Sequence, residues 1–515
     1  MKAATAAELR RIENEYMEEA GLPSLVLMET AAHSIALHVL KELRKGRVVV
    51  LCGTGKNGGD GLAAARHLAA HGLQTDVFLV GNAAPSEPDV CINIRALAAC
   101  GVALRRVTKA EEAAAVAEYI KGADLILDAL LGIGLSGAVR PLCAEVIRVV
   151  NASGVPVLSV DMPSGICADT GRVMGAAVRA QETVTLVCRK RGHVLYPGVE
   201  FAGRVVLAGI GLPASALESV ELDMLSAVEA CTLLPVRAAR SHKYQFGRVL
   251  SVAGCDNMPG AAVMAATAAY RAGAGLVMAA GTGRVVQMLQ AGVKEAVTLT
   301  LADEGGTLCE ASTQALAAEK AKASVVLLGP GLSDCAATEG FVEAFVHGIN
   351  VPIVVDADAL NILARHRDWL TALAAEAPVV LTPHMGEMSR LTGIPAEDLL
   401  EDTIGAAARL AKETGAIVLL KDARTIIATP DGRVSMNPTG CSALAKAGSG
   451  DVLAGLIAGF AAQGLALYDA ARAACYIHGL AGEHAAAEMS AYGVMASDLL
   501  DEIPSTIQYV LEAAE

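Results

Sequence analysis

Along the chain, short runs of β-branched and apolar residues alternate with alanine-rich stretches of helical pattern. In the first half the runs are RVVVLCG (47–53), TDVFLVG (75–81), LILDALLG (125–132), PVLSVDMPSG (156–165) and ETVTLV (182–187). A second series starts at GRVLSVAG (247–254) and continues through SVVLLGPG (324–331), PIVVDADAL (352–360), PVVLTPH (378–384) and AIVLLKD (416–422). It closes on the long Ala/Gly helix pattern AGSGDVLAGLIAGF (447–460). Such alternation predicts βαβ units on parallel sheets, with function in the loops at the carboxyl ends of the strands. Strand periodicity lapses over residues 209–243, where short helical patterns fill in. The expected architecture is therefore α/β, with two domains joined head to tail over residues 1–220 and 221–515.

Composition narrows the function classes. With 53% hydrophobic and 19% charged residues, the 515-residue chain is too apolar for disorder and supports a large core. A formal charge of −14 argues against nucleic acid or an anionic membrane as the main partner. The mean hydropathy of +0.46 comes largely from alanine. Apolar runs such as Val452 to Ala462 are interrupted by glycine, and none reaches the roughly 18 residues that spanning requires. The N-terminal MKAATAAELRRIENEY turns charged at once and reads as no secretory signal. Twelve scattered cysteines without a C-x-x-C pair read as idle thiols, so a reducing cytoplasm is the expected compartment.

In the first half, the strand at 47–52 runs directly into GTGKNGGDG (53–61) and then a helix. Its glycines let backbone approach a ligand, and a helix start favours phosphate, although a Gly-rich turn alone marks no more than a tight connection. Asn57 and Asp60 inside the loop add more: a carboxylate there would repel phosphate unless it meets a sugar hydroxyl, a carbonyl-rich ligand or a cation. Two later strand ends carry Asp128, in DALLGIGLSGAVRP (128–141), and Asp161 with Ser164, in DMPSG (161–165). Taken singly, Asp128 and Asp161 read equally well as helix caps or loop braces. Together with Asn57, Asp128 and Ser164 supply hard oxygen ligands suited to a monovalent or hard divalent cation.

The order NGGDGL, D-x-L-x-G-x-G and D-x-PSG resembles the NAD(P)HX epimerase domain. The resemblance implies a Rossmann-like three-layer sandwich that binds a hydrated nicotinamide dinucleotide and potassium. The ligand would contact Lys56, Asn57, Gly58, Gly59 and Asp60, then Gly132, Ile133, Gly134, Leu135, Ser136, Gly137 and Ala138, and Asp161. Potassium would sit on Asn57, Asp128 and Ser164, and Asp60 and Asp161 are the candidate acid–base residues. Lys56 departs from the pattern, since many relatives carry a second Asn there, and changed ligand contacts are expected at that point.

In the second half, AGSGD (447–451) opens a helix with small residues, so an anion can lie against its N-terminus. Asp451, the one acid in the turn, is placed to accept a proton from a substrate hydroxyl; without the neighbouring glycines it would read as a first-turn residue complementing the helix dipole. The turn resembles the anion hole of ribokinase-like kinases. With SHKYQFG (241–247), AGCDNMPGAA (253–262), LGPGL (328–332), DADALN (356–361), TPHMGE (382–387) and KDARTIIATPDG (421–432), it resembles the ADP-dependent NAD(P)HX dehydratase across residues 240 to 505.

That resemblance implies a ribokinase-like α/β/α domain in which Ala261, Gly331, His384 and Asp451 contact the hydrated dinucleotide. Lys421, Asp422, Ala423, Arg424, Thr425 and Gly450 would hold the adenine nucleotide. Relatives usually have Lys-Gly-Ala at the start of KDARTI, and Asp422 near a phosphate would weaken binding. His384 alone would read as a structural histidine, and its place beside Glu387 turns it towards a ligand role. His242 and Lys243 read equally well as surface residues.

The expected chemistry is repair: interconversion of R and S NADHX or NADPHX, and removal of the C6 hydroxyl from the S epimer with ADP as phosphoryl donor and Mg²⁺ accompanying it. Dehydratases of this kind commonly assemble through the second domain, so a homo-oligomer is expected. Two other readings stay open. One is a ribokinase-like small-molecule kinase fused to a nucleotide-binding module, which would release a stable phosphorylated product. The other is a first half that only binds, as in the related mRNA-decapping scaffolds.

Overall fold

The computed structural model describes residues 1–85 and 87–513. It divides into two compact units, Lys2–Glu221 and Leu222–Glu515, the latter grouped with Met1. The strands of the two main sheets are numbered below in chain order.

The first unit is built on seven parallel strands: β1 (Arg47–Cys52), β2 (Gln74–Val80), β3 (Leu104–Val107), β4 (Leu125–Ala129), β5 (Val157–Val160), β6 (Glu182–Leu186) and β7 (Arg204–Ala208). Their order across the sheet is β3-β2-β1-β4-β5-β6-β7. The central strands are buried on both faces, which is why they read as unbroken apolar runs. One face packs on Leu9, Ile35, Leu62 and Leu68, and the other on Val116, Val146 and Val150. The result is a three-layer α/β sandwich. The order reverses between β1 and β4, so the loops leaving these two strands diverge and open a crevice.

Helix α1 (Lys56–Ala70) begins four residues after β1. The glycines of its first turn serve packing as well as ligand approach. A Cβ on Gly58 would lie 1.9 Å from the Gly53 carbonyl oxygen, and one on Gly61 would lie 2.5 Å from the Ala129 Cβ. The NGGDG sequence thereby seats the helix directly against the ends of β1 and β4.

The second unit carries ten strands: β8 (Leu222–Met224), β9 (Arg248–Val252), β10 (Leu276–Gly281), β11 (Val297–Thr300), β12 (Val325–Leu328), β13 (Ile353–Val355), β14 (Val379–Leu381), β15 (Ile417–Leu420), β16 (Ile426–Ala428) and β17 (Val434–Met436). The sheet order is β8-β17-β16-β15-β14-β13-β12-β9-β10-β11. From β9 to β15 neighbours are parallel, whereas β16 pairs antiparallel with both β15 and β17. The sequence pattern predicts neither that hairpin nor β8. The three strands concerned, β8, β16 and β17, have three residues each, too short for alternation to register.

Helix α2 (Pro259–Arg271) and helix α3 (Ser449–Ala462) lie against each other at close range. A Cβ on Gly455 would come within 2.3 Å of the Ala265 carbonyl oxygen, and one on Gly459 within 2.5 Å of that of Ala269. The Ala/Gly composition of this helix follows from that approach and not from a membrane. Among the described residues, no single helix is long and apolar enough to cross one.

Candidate functional site

In the first unit the crevice between the β1 and β4 loops is a cleft of about 1110 Å³. Lys56, Asn57 and Asp60 line it from α1, Gly132, Ile133, Gly134, Leu135, Ser136 and Ala138 from the loop after β4, and Asp161 from the loop after β5. The structure therefore brings together most of the residues singled out by sequence. Gly58, Gly59 and Gly137 are not part of the lining, Gly58 being turned to the backbone of Gly53 and Gly59 towards Met28.

Asp128 and Ser164 sit beneath the cleft, both completely buried. The Asp128 carboxylate accepts from the Ser164 hydroxyl at 2.6 Å, the Ser164 N–H at 2.9 Å, the Ser159 hydroxyl at 2.8 Å and the Leu130 N–H at 3.3 Å. Burial nevertheless pushes its pKa up against those donors. Asn57 is different: both polar atoms of its amide are buried without a hydrogen-bond partner, and its Cγ lies 3.0 Å from where a Cβ on Gly132 would be. An orphaned buried amide leaves an oxygen donor unused. That donor chemistry fits a hard monovalent cation.

Asp161 occupies a left-handed backbone conformation, φ 66°, which costs a non-glycine residue on the order of 1–3 kcal/mol. The turn is held by its N–H, which donates to Val184 O at 2.8 Å, and by its Oδ1, which accepts from Leu186 N–H at 3.0 Å. It also pairs with the ammonium of Lys190, a completely buried residue. Asp60 has a pKa well above the ordinary carboxylate range because it is desolvated and faces Asp161 and Glu13. Glu13, on the helix Ala6–Ala20, lines the same cleft and is pushed up for the same reasons, burial first and then Asp161. Sequence reasoning missed Glu13 and Lys190. One hides in a charged amphipathic helix, and the other in the string RKRGH (189–193), whose composition reads as surface.

In the second unit the candidate residues gather at the carboxyl ends of β12 to β15. Gly448 adopts φ 89° and starts α3, so the N–H groups of Gly450 and Asp451 precede the first intrahelical bond, from Val452 N–H to Gly448 O at 3.1 Å. Asp451 is pushed up to about 7, by desolvation first and then by Asp356 and Asp358, with Lys421 pulling the other way. Lys421 Nζ donates to Asp356 Oδ1 at 2.7 Å. Burial works against its charge, yet Asp356, Glu387 and Asp451 together hold its pKa above the ordinary lysine value. A Cβ on Gly450 would lie 3.4 Å from Lys421 Nζ and 3.8 Å from Asp356 Oδ2, so the turn, the lysine and the aspartate form one cluster.

His384 caps the helix Met385–Thr392, its Nδ1 accepting from the N–H groups of Gly386 at 2.9 Å and Glu387 at 3.2 Å. Its proton therefore resides on Nε2, 3.4 Å from Glu387 Oε1. Desolvation, Lys421 and Arg390 lower its pKa, while Glu387 is pushed up to about 7 by burial. Ala261 and Gly331 meet each other, since a Cβ on Gly331, at φ 63°, would lie 2.8 Å from that of Ala261. Asp422 and Ala423 are exposed, and Arg424 and Thr425 half-buried, on the turn between β15 and β16. His242 and Lys243 are exposed. Asp356 and Glu387 were within reach of the sequence, in DADALN and TPHMGE, but only the fold shows that both face Lys421.

A family model described as YjeF-related protein N-terminus matches residues 24–192, and one described as NAD(P)H-hydrate dehydratase matches residues 249–505. The bifunctional NAD(P)H-hydrate repair enzyme of Moorella thermoacetica is 40% identical over 522 residues, covering 100% of this chain and 98% of the relative. The enzyme of the same name from Thermofilum pendens is 36% identical over 519 residues, with 100% and 98% covered. The ADP/ATP-dependent NAD(P)H-hydrate dehydratase from Bacillus subtilis, co-crystallised with ATP and Mg²⁺, is 29% identical with a TM-score of 0.48, covering 57% of this chain and 100% of that one. With similarity running through both halves and the whole length, the chain belongs to the family of bifunctional NAD(P)H-hydrate repair enzymes.

Proposed function

We propose that the chain repairs hydrated nicotinamide dinucleotides in two steps. Residues 1–220 interconvert the R and S epimers of NADHX and NADPHX, and residues 221–515 dehydrate the S epimer to NAD(P)H at the expense of ADP. The observation that carries this reading is full-length similarity to bifunctional repair enzymes, with a separate acid–base cluster in each half.

In the dehydratase half, Asp451 accepts the proton of the C6 hydroxyl as its oxygen takes the terminal phosphoryl group of the nucleotide, and the N–H groups of Gly450 and Asp451 stabilise the charge on that group. The C6–O bond then breaks with its electron pair leaving on phosphate. The lone pair of N1 forms C6=N1, and transfer of a C5 proton to water gives the dihydropyridine as the C=N electrons return to N1. His384, Ala261 and Gly331 orient the dinucleotide, while Lys421, Asp422, Ala423, Arg424, Thr425 and Gly450 hold the nucleotide. Among the described residues no group of three or more His, Cys, Asp or Glu is placed to hold a metal ion. Mg²⁺ would accompany the nucleotide through its phosphates.

In the epimerase half, Asn57, Asp128 and Ser164 would hold potassium, whose charge would order the loops around the cleft. The scattered thiols without a C-x-x-C pair support a reducing cytoplasm, and the resemblance to dehydratases that assemble through the second domain supports a homo-oligomer.

The test is to supply a mixed R/S hydrate with ADP, Mg²⁺ and K⁺ and to follow the near-ultraviolet absorbance of reduced nicotinamide. Complete recovery is the expected outcome. Recovery that stalls with the R epimer unspent reduces the first half to a binding module. No recovery with ADP or ATP, together with a stable phosphorylated product from an alcohol, establishes the kinase reading instead.

A further inference from the structure

Lys190 is among the largest fully buried side chains of the described residues, and it borders the cleft of the first unit. A buried lysine costs several kcal/mol unless its charge is matched, so its partners say what it is for. Nζ donates to Thr185 Oγ1 at 2.9 Å, to Leu186 O at 2.8 Å and to Asp161 Oδ1. The donors that reach Asp161, namely Lys190, Leu186 N–H and Thr185 Oγ1, all fall on Oδ1. Beside this pair, His193 is held neutral, with a pKa lowered to about 3 by burial and by Lys190. Asp161 is thus the carboxylate that hydrogen-bonds the ammonium, while Asp60 and Glu13 feel its charge without that bond.

We propose that Lys190 is the positioning residue of the epimerisation site: it clamps Asp161 through Oδ1 so that Oδ2 is presented to the substrate as the base, opposite Asp60 as the acid. This rests on the epimerase reading and assigns the roles within it. Asp60 donates a proton to the C6 hydroxyl, the C6–O electron pair leaves with water, and the N1 lone pair forms C6=N1. A water on the opposite face then adds to C6, the C=N electrons return to N1, and the proton shed by that water goes to Asp161. One carboxyl has lost a proton and the other has gained one, which sets the pair for the reverse reaction; proton exchange of both carboxyls with solvent water restores it for the next R-to-S turnover. Such a pair works only if one member is neutral and the other charged. The desolvated position of Asp60, facing two other carboxyls, and the ion pair of Asp161 supply that asymmetry.

The experiment measures R-to-S exchange by the full-length protein carrying Lys190→Met, which keeps the packing and removes the charge, and Lys190→Ala with and without ethylammonium. The expected result is a fall in kcat of about 100-fold with KM within threefold, recovered at least tenfold by ethylammonium in Lys190→Ala but not by ethanol. The same amine should leave the unsubstituted protein unchanged, and dehydration of pure S epimer should be unaffected in both variants. Exchange within threefold of normal in Lys190→Met overturns the proposal, and so does a loss that ethylammonium does not recover. Should neither variant fold, Thr185→Val decides: the proposal requires a severalfold lower kcat at unmoved KM, and unchanged kcat overturns it. Absence of exchange in the unsubstituted protein would instead defeat the epimerase reading itself.

Discussion

The two units share a strand order and place their chemistry differently. In each, the first strand of the series has the second and third on one side and the fourth to seventh on the other: β3-β2-β1-β4-β5-β6-β7 in the first unit and β11-β10-β9-β12-β13-β14-β15 in the second. The first unit keeps its candidate site at the crevice where the order reverses, between the β1 and β4 loops, extended to the ends of β5 and β6. The second carries its acid–base cluster further along the sheet, at the ends of β13 to β15 under the N-terminus of α3. Both use a lysine tied to one aspartate, fully buried Lys190 to Asp161 and half-buried Lys421 to Asp356, with another carboxyl nearby that desolvation and like charge push up. What separates them is the helix end. Asp451 has free N–H groups beside it and suits a transferring anion, whereas Asp60 lies buried in α1 among carboxyls and suits the exchange of a proton.

That contrast breaks most sharply at Asp451. Asp451→Asn should lower dehydration by about 10³-fold while R-to-S exchange continues, measured on the separated epimers. Next come Asp60→Asn and Asp161→Asn, each expected to lower exchange about 100-fold and to leave dehydration of pure S epimer intact. If neither slows exchange, the acid–base assignment in the first unit is wrong.

The pH profiles should diverge as well. Asp451 must be ionised to accept a proton, so kcat/KM for dehydration should rise with pH through about 7 and fall about tenfold per unit below it. Because Lys421 lowers the pKa of Asp451, Lys421→Met should move that limb to higher pH. Asp60 must be neutral to donate, so exchange should instead fall as pH rises through its raised pKa. Coincident limbs in the two reactions would remove the distinction. The smallest effect is structural: Gly58→Ala, with its Cβ 1.9 Å from Gly53 O, should cost about 1–3 kcal/mol, seen as a lowered melting transition of the first unit alone.

The α/β class, the parallel series and the loops that carry chemistry follow from the order of the amino acids alone, because buried parallel strands are written as continuous apolar runs and strand-end motifs are local. The Asp128–Ser164 pair, Asp451 at a helix start and the turn at GTGKNGGDG were legible for the same reason. The fold alone brings Glu13 and Lys190 to the first cleft, turns Asp356 and Glu387 towards Lys421, and sets the glycines of α3 in helix contact. It also decided the antiparallel edge of the second sheet. These features share a physical cause. A residue's burial and charge environment depend on segments dozens to hundreds of positions away, and one lysine in a basic string is indistinguishable from a solvated one until the fold removes its water.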